Sequence, residues 1–87
     1  MGLTVIYRET AASGLGRLRD EDKAVFARAR SAIRALAADP YPESAVPWGG
    51  SGFYRLHNGA IRITYEVDEA KRAVYILHVS VVPGSGR

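Results

Sequence analysis

The 87-residue chain contains no cysteine, so no disulfide and no thiolate metal site can staple it. A reducing compartment fits that absence, and a cytoplasmic protein is the expectation. Long apolar runs are also missing. None approaches the ~20 residues of a membrane span, and the N-terminus lacks a charged region followed by an apolar stretch. The two histidines show no metal-ligand spacing, and there is no glycine-rich phosphate loop, so neither a metal nor a cofactor is expected. Lysine is scarce. Of twelve basic residues, ten are arginine and only Lys23 and Lys71 are lysine, and a guanidinium fork suits phosphate better than a point charge does. Against nine acids these leave a formal charge of +3, which suits an anionic partner without identifying one.

With 47 % hydrophobic residues the chain has enough apolar surface for a core, and one domain over residues 1–87 is expected. No repeat or low-complexity segment interrupts it. "LTVIYRE" (3–9) is rich in β-branched and aromatic residues and reads as a first strand. "TAASGLGRL" (10–18) reads as a short or bent helix capped by Thr10, weakened by Gly14 and Gly16. Asp20 is the expected N-cap of a second helix, with Glu21 and Asp22 in its first turn. Its core stripe is Phe26, Ala29, Ile33, Leu36 and Ala37, and Pro40 ends it. Three of the four prolines and three glycines fall in 40–52, a loop approaching an edge strand. "FYRLH", "IRITYEV" and "AVYILHVSVV" follow as strands, and the tail 83–87 is expected to fray. The fold class is α+β, in the order β-α-α-β-β-β, with an antiparallel sheet covered on one face by a helical hairpin.

The turn at Asn58-Gly59 predicts a type I′ hairpin. Counting outward from a His57/Ala60 closing pair sets Arg55 opposite Arg62. A five-residue loop 68–72 then pairs Val67 with Ala73, Tyr65 with Tyr75, Ile63 with Leu77 and Arg62 with His78. That register gathers the apolar residues, Tyr75 and Leu77 among them, under the helices, since a one-residue slip would flip the last strand. Arg55, His57, Arg62, Thr64, Glu66, His78 and Ser80 fall on the uncovered face. Solvated outward positions are the ordinary reading of any one such arginine. Two directly opposed, however, cost a few tenths to ~1 kcal/mol, which favours an anion site.

The segment "GFYRLHNGAIRITYEVDEAKRAVYILHVS" resembles the signature of the RelE/ParE superfamily of bacterial toxins. There a Tyr-Arg-aliphatic strand, a short glycine-containing turn and an Arg-aliphatic-X-Tyr strand lead through an acidic turn to an apolar strand. The upstream strand, helical hairpin and Pro-rich loop fit the same pattern. The resemblance implies a RelE-like microbial ribonuclease-type fold, the toxin of a type II toxin–antitoxin pair, and a cognate antitoxin with which it forms a hetero-oligomer. It implies further that the protein is a ribosome-dependent mRNA endoribonuclease that inhibits translation and needs no metal. Arg62 falls on the family arginine that contacts the scissile phosphate, and Arg55 on a basic position of the preceding strand.

Such chemistry needs a base for the 2′-OH proton, cations for the phosphorane and an acid for the leaving 5′-oxygen. Arg55 and Arg62 can supply charge but do not deprotonate. An imidazole can serve as acid or base near neutrality, which makes His78 and His57 the candidates, and Glu43 precedes the sheet at a spacing loosely like that of a catalytic glutamate in the YoeB branch. Trp48 reads either as a base-stacking platform or as a packing anchor. The last strand departs from the pattern: "SVVPGSGR" has no cation before Arg87 and no aromatic. That departure keeps two alternatives open, a ParE-like poison of DNA gyrase without nuclease activity and a depleted relic that binds only its antitoxin.

Overall fold

The computed structural model describes residues 2–82, so the expected fraying of 83–87 lies outside the described residues. Strand β1 (Thr4–Tyr7) leads into helices α1 (Glu9–Glu21) and α2 (Lys23–Ala38). Four strands follow: β2 (Ala45–Pro47), β3 (Phe53–Asn58), β4 (Ile61–Asp68) and β5 (Ala73–Val81). They form one sheet in the order β1-β5-β4-β3-β2, parallel between β1 and β5 and antiparallel elsewhere. The α+β class holds, with two corrections. The sheet is mixed rather than wholly antiparallel, because the helical hairpin carries the chain across from β1 before β5 returns beside it. The fifth strand, β2, lies inside the predicted loop; three residues ending in Pro47 give no alternation to read, and proline at an edge forfeits no internal ladder bond.

Helix α1 starts earlier than expected and without a capping side chain, and α2 starts later. Arg8, not Thr10, is the N-cap residue of α1 and gives no side-chain cap; its N–H is instead donated to the Ile76 carbonyl, so the sheet sets where the helix begins. Gly14 does not bend α1. A Cβ there would lie 2.8 Å from the Val79 carbonyl oxygen, so the glycine is what lets α1 settle onto β5. Asp22, not Asp20, caps α2, its carboxylate accepting from Val25 N at 3.2 Å while its own N–H closes α1 on the Leu18 carbonyl. One residue thus ends one helix and begins the next.

The helices cover Leu56, Ile61, Ile63, Tyr65, Val67, Val74, Ile76 and Val79, with Ala29, Ile33 and Leu36 of α2 and Ala11 and Leu15 of α1 above them. Two registers differ from the sequence reading. In the first hairpin Asn58 belongs to the strand and pairs with Ile61, leaving Gly59-Ala60 as the loop. Gly59 has φ +60° and Ala60 is not in the positive-φ region, the requirement of a type II′ turn. Moving the turn by one residue moves the pairing by two, so the faces are preserved. Arg55 then faces Thr64, and Arg62 faces His57, which relieves the direct arginine opposition.

In the second hairpin Asp68 pairs with Ala73 across a four-residue loop, which puts Val74 and Ile76 under the helices and turns Tyr75 outward. A bulge at Leu77 then inserts one extra residue, and Thr64 pairs with His78, Ile63 with Val79 and Arg62 with Ser80. Tyr75 and Leu77 therefore do not join the core. The strand is apolar at every position from 73 to 77, so alternation could not choose between the two phases.

Four tyrosine and glutamate side chains tie the segment after α2 to the sheet. Tyr65, fully buried, donates to the Pro40 carbonyl at 2.7 Å and stacks on Tyr54, whose ring meets Tyr41 edge-on at 5.4 Å. The Tyr41 hydroxyl donates to the Glu69 carboxylate. That hydrogen bond, with smaller contributions from burial and the Glu69 charge, pushes the Tyr41 phenol up to about 12. Burial pushes the Tyr65 phenol above its ordinary range too. Residues 40–44, which deliver β2 and Glu43, are held by these contacts.

Candidate functional site

The uncovered face carries a small lattice of cations and hydroxyls. One row runs His57–Arg62–Ser80 across β3, β4 and β5; the next runs Arg55–Thr64–His78. Arg62 is the hub. Its direct neighbours are His57 and Ser80, and Arg55 and His78 are its diagonal neighbours, at ~7–8 Å between α-carbons. The expected single row of Arg55, Arg62 and His78 is thus two staggered rows, but all four groups share one face. His57 and His78 stand on either side of Arg62, roughly 12 Å apart at their α-carbons from two interstrand spacings and one two-residue step. Both imidazoles are exposed.

Neither arginine is neutralised. No described carboxylate pairs with Arg55 or Arg62. Arg62 is held by dipoles: its Nη1 donates to the Gly59 carbonyl at 2.7 Å and the Ile61 carbonyl at 3.2 Å. Those two contacts leave the Nε and Nη2 hydrogens, three of the five guanidinium donors, for a ligand. Arg55 is held by a ring. Its guanidinium carbon sits 3.6 Å from the Trp48 ring centroid, and its Nε donates to Thr64 Oγ1 at 3.4 Å. Carbonyls and an indole fix the side chains without cancelling their charge, as a carboxylate would. Glu66 lies one row further on, opposite Phe53 and Tyr75, and Asp68 beyond it caps the Lys71 N–H.

Trp48 follows β2 at the rim, 46 % exposed, its N–H bonded to the Phe53 carbonyl. The indole therefore has one side on Arg55 and much of its remaining surface in solvent. It is not a core anchor. Glu43 lies two residues before β2 and is exposed; the His57 N–H to Ser44 carbonyl contact of 3.4 Å carries the β2–β3 register to its neighbour, so Glu43 sits at the same end of the sheet as His57. No cluster of three His, Cys, Asp or Glu side chains able to hold a metal ion occurs among the described residues.

Sequence reasoning missed Arg8. Its guanidinium carbon lies 4.6 Å from the Tyr75 ring centroid, on the same uncovered face. The alternation Thr4, Ile6, Arg8 along β1 carried that signal, and the assumed inward phase of Tyr75 concealed it. His78 also borders a cleft of about 370 Å³ between α1 and the end of β5, lined by Thr10, Ser13, Arg17 and Glu21.

Residues 5–80 match the family model described as ParE toxin of type II toxin-antitoxin system, parDE. Among solved structures, the isolated Escherichia coli RelE toxin superposes with a TM-score of 0.81 at 17 % identity, over 97 % of this chain and 88 % of that one. The RelE–RelB complex of Pyrococcus horikoshii gives 0.80 at 22 % identity, over 98 % and 100 %. The RelBE2 toxin–antitoxin complex of Mycobacterium tuberculosis gives 0.79 at 23 % identity, over 93 % and 99 %. At these identities the likeness is one of fold. No curated protein matches the sequence.

Proposed function

The chain belongs to the family of ParE toxins of type II toxin–antitoxin systems, and from that premise and the lattice on the open face we propose that it cleaves messenger RNA on the ribosome without a metal ion. The observation that carries this reading is Arg62, an un-neutralised guanidinium held by two carbonyls, with an imidazole on either side. A single strand laid across the rows would place a phosphate over Arg62 and Thr64. One imidazole takes the 2′-OH proton, the oxygen attacks the adjacent phosphorus, and the other imidazole protonates the departing 5′-oxygen. The products are a 2′,3′-cyclic phosphate and a 5′-hydroxyl. Arg62 and Arg55 offset the charge that builds on the phosphorane. Trp48 offers the exposed side of its indole to a base, and such stacking is worth ~1–3 kcal/mol per base. Glu43 is the reserve base at the His57 end.

The partner in the cell is a cognate antitoxin. The Mycobacterium tuberculosis and Pyrococcus horikoshii relatives of this fold are complexes of that kind, and the +3 charge suits an acidic partner in a hetero-oligomer. No helix among the described residues is long and apolar enough to cross a membrane, and ribosomal substrate places the action in the cytoplasm. The decisive experiment is in vitro translation with the full chain and mapping of transcript ends. Cuts at A-site codons are expected, and Arg62→Ala is expected to slow them on the order of 10²–10³-fold.

A second reading, a gyrase poison, is favoured by one observation: the matched family model is that of ParE itself, and Val81 and Val82 end the described chain without the cations that RNA cleavage usually recruits there. Intact transcripts together with a DNA-damage response would establish that reading over the first.

A further inference from the structure

Two arginines from different layers meet at the β3–β4 turn. Arg62 reaches it from the open face, donating to the Gly59 carbonyl at 2.7 Å. Arg28 reaches it from α2 on the covered side. A Cβ built on Gly59 would lie 2.7 Å from Arg28 Nη2, so that guanidinium lies against the turn. Gly59 is required by the positive φ of the turn, and its open α-carbon faces this side chain.

Nothing described neutralises the pair. Neither arginine has a carboxylate partner. One turn away along α2, the neighbours of Arg28 are Ala24, Val25, Ser31 and Ala32, none of them acidic. The Gly59 N–H has no hydrogen-bond partner among the described residues either. The tip of the hairpin thus gathers two guanidinium groups and a backbone donor with no acceptors among the described residues but the two carbonyls that orient Arg62. Donors without acceptors at an exposed, doubly cationic point fit an anion.

We propose that Arg28 and the Gly59 amide, beside Arg62, form a phosphate site at the hairpin tip, which takes the backbone phosphate next to the one over Arg62, where the RNA strand leaves the open face and passes toward the helices. The proposal rests on the ribonuclease reading for its source of phosphate and not for the site itself. Arg28 is a positioning residue: it sets the path of the strand and does not touch the reacting phosphate.

The test uses the full chain and two probes. In the first, inorganic pyrophosphate is titrated while the Gly59 amide resonance is followed; the signal should move in the wild type and stay still in Arg28→Gln. In the second, a fluorescent single-stranded RNA is bound at several salt concentrations. Arg28→Gln should bind several-fold more weakly and flatten the slope of log K against log salt by about 0.7, the share of one phosphate contact on a single strand. Arg34→Gln, an exposed charge on the same helix, should change neither. An unchanged slope in Arg28→Gln, or a Gly59 response that survives the substitution, overturns the site. If transcripts stay uncut in translation while Gly59 responds to pyrophosphate and loses that response in Arg28→Gln, the ribonuclease reading falls and the anion site stands.

Discussion

On the helix-covered side of the sheet Ile63, Tyr65 and Ile76 are shielded from solvent completely, while one residue away on the other side Arg62 and Thr64 stand half-open beside exposed His57 and His78. The covered side is held by shape, and each side chain there loses stability if shortened. The open side is held by weak, local contacts: two carbonyls for Arg62, an indole and a hydroxyl for Arg55. None of these is worth much to folding, and none removes charge. Within β4 the same backbone therefore separates packed side chains from the candidate site by the parity of a residue number. Substitutions should sort by face, with folding and activity changing independently.

Ile63→Ala is the severest trial of that separation. Its side chain is fully buried, so a loss of ~2–5 kcal/mol is expected, read as a fall in the thermal midpoint of on the order of 10 °C or more. Arg62→Ala, its immediate neighbour, should barely shift the midpoint. Equal losses from the two would break the comparison. Gly14→Ala sharpens it at the helix layer. Alanine gains ~1 kcal/mol of helix propensity, but its Cβ would sit 2.8 Å from the Val79 carbonyl, and overpacking of that kind costs ~1–3 kcal/mol. A net loss is expected, whereas Gly16→Ala, whose nearest contact would be 3.9 Å away, should stabilise. If both variants stabilise in urea melts, α1 is not pressed against β5.

The smallest effect concerns the tether that presents β2 and Glu43. The Tyr41 phenol is pushed up to about 12 in the folded protein from an ordinary 10.0, chiefly by its hydrogen bond to Glu69. The folded state thus keeps the proton longer than the unfolded chain. Its contribution is complete below pH 10 and disappears as pH climbs through 12. Because the pair is exposed, the amount is small. Tyr41→Phe should flatten the stability profile between those pH values, measured by denaturant melts, and lower stability near neutrality by the same small amount without changing its slope there. An alkaline limb as steep in the variant as in the wild type would show that Tyr65, also raised, carries it alone.

Much of this arrangement was legible in the sequence where polarity alternates. In β4, Ile61, Ile63, Tyr65 and Val67 against Arg62, Thr64 and Glu66 leave one choice of face, and the placement of Arg55, His57, Arg62 and His78 on one side follows from it. Pairing was harder. Asn58-Gly59 and Gly59-Ala60 both make two-residue turns, and both registers bury the same residues, so only turn geometry and the repulsion between arginines separate them. Through β5 the alternation fails, because Val74 and Ile76 are as apolar as Tyr75 and Leu77, and a bulge leaves no mark in composition. Contacts between layers were silent altogether. Nothing in the spacing of residues 28 and 59, or 48 and 55, announces that a guanidinium would rest on a turn or an indole.

The extra residue in β5 bears on how such a strand can change length over generations. On either side of Leu77 the ladder is already in phase, Tyr65 with Ile76 and Thr64 with His78. A homologue one codon shorter at that spot would keep every inward and outward assignment and lose only the bulge beside His78. A codon lost elsewhere between Val74 and Val81 would turn part of the strand inside out. A change of length is therefore tolerated best at one position, next to a candidate acid–base residue, where it leaves the core alone.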